Sequence, residues 1–174
     1  MLLKQDEYGI YGLDASDTKT IRDLRAVEAK IRSHTHNRFH VRGVSVDAKS
    51  EGGAIIASHP WIKVGDTVEV EESTVNDGLY QVVSVADGKT VLDGDLLDAP
   101  FNHVTLVRYP ADVVDGAIGI LEYDKAMPKA NAAVASETIS RHSVTYRQVS
   151  AADQFAGYPA EVTAFLKPYM RARF

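Results

Sequence analysis

GDTVEVEESTVNDGLYQVVSVADGKTVL, residues 65–92, decides the architecture. Val68 and Val70 alternate with Glu69 and Glu71, the two-residue period of a strand with one dry and one wet face. Leu79–Val85 and Thr90–Leu92 flank Asp87-Gly88, a pair that tolerates positive φ and closes short hairpins. Gly65-Asp66 and Asn76-Asp77-Gly78 are further turn signals. Upstream, Val44 and Val46 alternate with Ser45 and Asp47, and Ala54–Ala57 is a short apolar run. Downstream, Val104–Tyr109 supplies a last strand. Five or six short strands with tight turns predict a small barrel or a curled sheet.

Helix-period sequence brackets this region. The first helix is predicted over roughly 16–34, opening at Ser16 or Asp17, whose side chains accept hydrogen bonds from unpaired N–H groups. Leu24, Val27 and Ile31 form one apolar stripe, with Arg22, Arg25, Lys30 and Arg32 off it, and Asn37 is the expected stop. The second helix is predicted over roughly 110–127. Pro110 stands where its missing N–H is not needed, and Val114, Ala117, Ile118 and Leu121 form the stripe. Gly116 and Gly119 lie within that helix, small enough for a close approach. The Ala-rich stretch 128–137 reads as a linker or short helix. HSVTYR, 142–147, reads as a strand. Val162, Phe165, Leu166 and Tyr169 follow helical spacing until Pro168 ends or kinks it.

The fold class is therefore α+β: a small α-helical bundle with an inserted β-rich, barrel-like domain and a C-terminal strand/helix tail. The helical domain is discontinuous, 1–37 and 110–174, and the inserted β domain covers 38–109.

The 174 residues suffice for one ordinary domain or a small domain with an insert. With no cysteine, disulfides, zinc–thiolate sites and thiol nucleophiles are excluded. MLLKQDEYG reaches charge too early for a signal peptide, and no apolar run approaches the roughly 20 residues that span a bilayer, so a soluble chain is expected. The net charge of −5 is uneven. Val44–Pro100 holds eleven acidic and three basic residues, a balance of −8, which leaves +3 elsewhere. Such asymmetry bears on partners, and the acidic part is a poor platform for phosphates.

No catalytic constellation stands out. Walker, G-x-G-x-x-G, G-x-S-x-G and H-E-x-x-H patterns are all missing. His34-Thr35-His36 with His40 is the best histidine cluster, but no carboxylate sits at a companion spacing, so solvated or locally packed histidines are expected and no metal. Asp93, Asp95 and Asp98 lack the twelve-residue calcium-loop pattern. No catalytic residue, enzymatic activity or cofactor is expected. KPYMRARF is different in kind. It sets Lys167, Arg171 and Arg173 beside Tyr169, Met170 and Phe174, and arginine and aromatic residues are favoured at protein interfaces.

ETISRHSVTYRQVSAADQFAGYPAEVTAFLKPYMRARF resembles the C-terminal part of tailed-phage head–tail connector proteins, also called adaptor or head-completion proteins. The resemblance is carried by the strand Ser140–Tyr146, by Gly157-Tyr158-Pro159, and by Leu166 and Tyr169 near the end. GDTVEVEESTVNDGLYQVVSV and Val107-Arg108-Tyr109-Pro110 are similar to members with a β domain inside the helical one. It covers most of the chain after residue 37; the first helix fits by position only.

The resemblance implies a structural virion protein, assembled in the host cytoplasm and sited at the head–tail interface. Subunits would form a ring, commonly twelvefold, beneath the portal and continue the DNA channel, with a downstream connector or tail protein below. DNA would pass without sequence-specific binding, and no membrane is implied. The portal-binding role falls on Tyr169, Arg171, Arg173 and Phe174. A closed ring needs a head-to-tail interface with apolar surface left over, for which Tyr123, Phe155 and Tyr158 are the candidates. The competing readings are a small nucleic-acid-binding module with a β-barrel insert, acting through Arg22, Arg25 and Arg32, and a small hydrolase or metal enzyme using the histidine cluster.

Overall fold

The computed structural model describes residues 2–4, 7–126 and 157–172, and the backbone of 136–139, 142–145 and 154–155. The chain is α+β and divides into two compact units: Met1–Arg25 with Arg38–Pro110, and Ala26–Asn37 with Ala111–Phe174. Helix α1, Thr18–Thr35, gives its first turns to one unit and the remainder to the other.

The first unit is built on six strands: β1 (His40–Glu51), β2 (Ala54–Ile55), β3 (Thr67–Glu71), β4 (Gly78–Ala86), β5 (Lys89–Leu92) and β6 (Ala99–Val107). They form a closed barrel in the order β1-β2-β5-β4-β3-β6, every pair antiparallel. The two-residue alternation is what fills it. Val68 and Val70 point inward beside Val104 and Leu106, with Ile55, Ile62, Val82, Leu92 and Leu96 completing the core. Each such aliphatic side chain contributes roughly 1.5–3 kcal/mol on burial. Glu69 and Glu71 take the opposite face of β3 and are half-buried.

Asp87 and Gly88 turn β4 into β5 with φ of 51° and 72°. Two successive positive φ angles match the right-handed twist of the strands they join. The Asn76 turn is more than a turn. Its Nδ2 lies within 2.9 Å of Leu97 O, 3.0 Å of Ser50 Oγ and 3.1 Å of Asn102 Oδ1, and its Oδ1 accepts from Leu97 N–H at 2.9 Å. Asn102 in turn donates to Ala48 O, and Tyr80 Oη donates to Asn76 O. Both asparagines are buried, so this network satisfies polar groups that would otherwise be stranded.

Several strand bounds differ from the expectation. β1 runs for twelve residues, because irregularities between His40 and Ser45 and between Ala48 and Ser50 hide its period. β2 keeps only Ala54–Ile55 of the apolar run. β6 starts at Ala99 and stops at Val107, short of Tyr109, whose ring sits 4.9 Å from that of Phe39.

In α1, Asp17 accepts from the Lys19 and Thr20 N–H groups and caps the helix start. Leu24, Val27 and Ile31 are buried, as their spacing requires. The stop is not Asn37. His36 takes the left-handed conformation, φ 50°, and Asn37 is buried just beyond it.

In the second unit, helix α2 (Ala111–Ala126) buries Val114, Ala117, Ile118 and Leu121 and also Val113 and Ile120, a wider face than the stripe alone. It packs on the short helix α3 (Ala160–Thr163) and on the 3-10 turn Ala164–Tyr169. Pro168 keeps that last stretch from being a regular α-helix. Strands β7 (Ser136–Ile139) and β8 (His142–Thr145) pair antiparallel, as do β9 (Gln154–Phe155) and β10 (Tyr158–Pro159). Tyr146 and Arg147 of the expected strand, and residues 128–135 of the Ala-rich stretch, lie outside the described residues. No helix among the described residues is long and apolar enough to cross a membrane.

Candidate functional site

The C-terminal segment is tied down at three points within the second unit. Asp112 stands in the first turn of α2, and Tyr169 Oη donates to both its carboxylate oxygens, at 2.7 and 2.8 Å. Asn37 Nδ2 donates to Tyr169 O at 3.2 Å, and Arg171 N–H donates to Thr35 O at 2.8 Å. The Asp112 hydrogen bond holds the Tyr169 phenol above its ordinary ionisation range, because a phenolate there would face a carboxylate. These tethers fix the backbone while Lys167, Met170 and Arg171 stay exposed, Met170 at 50%. Of the four residues expected to bind a partner, the fold brings Tyr169 and Arg171 into this one segment. Arg173 and Phe174 lie outside the described residues.

Tyr158 forms the centre of a second arrangement in the same unit. It is 4% exposed, and its hydroxyl accepts from Lys30 Nζ at 2.6 Å and donates to Asp124 Oδ2 at 2.8 Å. Burial raises its ionisation range, with Asp124 adding to the effect and Lys30 opposing it. The half-buried Tyr123 meets its ring edge to face, centroids 6.0 Å apart. Phe155 pairs its backbone with Tyr158, and its side chain lies outside the described residues. Lys30, Tyr158 and Asp124 thus link α1, β10 and α2 through one hydroxyl.

A third arrangement lies on the barrel and escaped the sequence. His40 gains the carboxylates that spacing denied it. Strand β6 lies between β1 and β3, with Val107 opposite both His40 and Thr67. Glu69 and Glu71 follow Thr67 on the same face of β3. His40 Nε2 is 2.6 Å from Glu69 Oε2 and 3.6 Å from Glu71 Oε2. Arg38 contacts Glu71 Oε1 and stands 3.8 Å from Glu69 Oε1. Thr105 is directly opposite Glu69 on β6, and its Oγ1 is buried with no hydrogen-bond partner among the described residues. Alongside, His103 Nδ1 and Asp47 Oδ1 are 2.5 Å apart. Only strand register unites these groups; β1 and β3 are too far apart in the chain for spacing to signal it.

His34 and His36 are exposed. Asp93 and Asp98 each cap a backbone N–H, those of Gln81 and Gly52 respectively. No protein-family model matches this chain, and neither does any curated protein sequence.

Proposed function

We propose that this chain is a structural protein of a tailed-phage virion, one subunit of a ring beneath the portal that joins the DNA-filled head to the tail and continues the DNA channel. On this reading the helical elements are the connector domain, the barrel is its insert, and the ring, commonly twelvefold, is made of copies of this chain. The C-terminal segment docks on the portal, and the insert meets a downstream connector or tail protein. The chain turns over no substrate and works at the head–tail interface of the virion.

The observation that carries the reading, beside the resemblance of residues 137–174, is the anchored C-terminal segment. Asp112 holds the Tyr169 hydroxyl and Asn37 and Thr35 hold the backbone, leaving Lys167, Met170 and Arg171 outward. A segment already ordered in the free protein loses less entropy on docking than a loose tail. The acidic balance of the insert supports passage of DNA past the ring without capture, since like charge repels phosphate.

The test mixes the purified chain with the portal protein of the same virion and images the product by electron microscopy. An added ring on the portal is the expected result, weakened by Lys167→Glu with Arg171→Glu. Only free protomers at micromolar concentration would sink the reading. Salt-sensitive DNA or RNA binding, lost on neutralising Arg22, Arg25 and Arg32, would point instead to the nucleic-acid-binding module.

A further inference from the structure

We infer that His40, Glu69 and Glu71 form a binding site for a divalent first-row transition ion, with zinc the best fit to the donor set. The three residues offer one nitrogen and two carboxylate oxygens, all within 4.8 Å of one another and all half-buried. The inference concerns the barrel unit by itself and does not rest on the connector reading.

The orientation of the carboxylates is the first argument. Each glutamate has two oxygens, and the pairs are sorted. Both Oε1 atoms face Arg38, whereas both Oε2 atoms face His40 Nε2. Arg38 therefore acts on the outer oxygens and aims the inner ones, the role that hydrogen-bonded neighbours play around ligating carboxylates. An imidazole nitrogen and a carboxylate oxygen bound tetrahedrally at 2.0–2.2 Å stand about 3.3 Å apart. The observed separations of 2.6 and 3.6 Å fall on either side of that value. Changes of about 0.7 and 0.3 Å in these two separations, within reach of flexible side chains, would seat an ion among the donors.

Thr105 supplies the second, independent argument. Its Oγ1 is buried on the glutamate face, opposite Glu69, with no hydrogen-bond partner among the described residues. A stranded hydroxyl is uncommon. A water on the open coordination position of an ion with three protein ligands would give it one.

Charge and ligand type select the ion. With neutral imidazole, the two glutamates and Arg38 leave one net negative charge, which a divalent cation offsets. The nitrogen donor favours zinc, cobalt or nickel over magnesium and calcium, which prefer oxygen throughout.

The test uses the full chain, stripped with chelator and dialysed. Titration with zinc chloride followed by calorimetry should give one equivalent per chain and a melting temperature higher by about 5 °C at saturation. Magnesium should give neither. His40→Gln and Glu69→Gln should each lower affinity at least tenfold, with circular dichroism checking that they fold. His34→Gln with His36→Gln should leave binding unchanged. Cobalt substitution of the wild-type chain gives a readout that needs no variant: selective paramagnetic broadening of the His40, Glu69 and Glu71 resonances. Failure to bind zinc at 100 µM (a generous ceiling on the order of a weak single site), broadening centred elsewhere, or binding lost with His34 and His36 would each overturn the assignment.

Discussion

Phe165 packs against Gly116: a β-carbon on that glycine would stand 2.3 Å from Phe165 Cε1 and 2.4 Å from its Cζ. A β-carbon on Gly119, one turn on in α2, would meet no atom within 4 Å among the described residues. The two glycines of one helix therefore do different things. Gly116→Ala should destabilise the protein by about 1–3 kcal/mol through overpacking, despite the better helix former. Gly119→Ala should stabilise it by up to about 1 kcal/mol. Urea denaturation of both variants checks this; equal effects in the same direction would refute the packing role of Gly116.

The Tyr169 phenol, raised by its bond to Asp112, should ionise later than an ordinary tyrosine at 10.0. Because the folded value is the higher one, the tether is fully present below the ordinary value. It is lost as pH climbs through the folded value. Absorbance titration at alkaline pH, wild type against Tyr169→Phe, should lose a late-titrating component. Asp112→Asn should move that component to lower pH.

Removing Asn76 should hurt more than removing a turn residue. Asn76→Ala leaves Leu97 N–H without its acceptor and Ser50 Oγ and Asn102 Oδ1 without their donor, while Leu97 O keeps the Ser50 hydroxyl. A loss of about 2–4 kcal/mol is expected for breaking a buried network. Asn76→Gly, equally suited to a turn, should fare no better. If it retained wild-type stability in urea, the side-chain network would carry no weight.

Trp61 is the only tryptophan and is 70% exposed, with Val64 beside it in sequence also exposed. Its emission should be red-shifted and readily quenched by acrylamide in the isolated chain. Should the barrel face a downstream connector or tail protein, adding that partner should shift the emission to the blue and protect it from quencher. An unchanged spectrum on a complex isolated by gel filtration would move the contact to another part of the barrel.

What the sequence made legible was local. Asp87-Gly88 announced its hairpin because the turn needs two positive φ angles in a row. Leu24, Val27 and Ile31 announced α1 because a helix returns to one face every three or four residues. What it hid depended on register or on irregularity. The bulges in β1 break the alternation from which its length would be read. Asn76 signals a turn to any reader of composition, and only the fold shows that its amide faces inward. His40 meets Glu69 because β6 intervenes between their strands, and strand order has no marker in either segment. At the C-terminal segment, aromatic and basic composition pointed to Tyr169 and Arg171, but not to Asp112 and Thr35 as the groups that hold them.

Closure of the six strands has a consequence for crowded conditions. The sheet has no terminal strand, since each of the six pairs with a neighbour on both sides, although β1 meets β2 only at Ser50 and Glu51. Wherever many copies gather, a closed sheet offers a stranger less free backbone to template on than an open one would, so fewer misplaced encounters begin as a shared sheet.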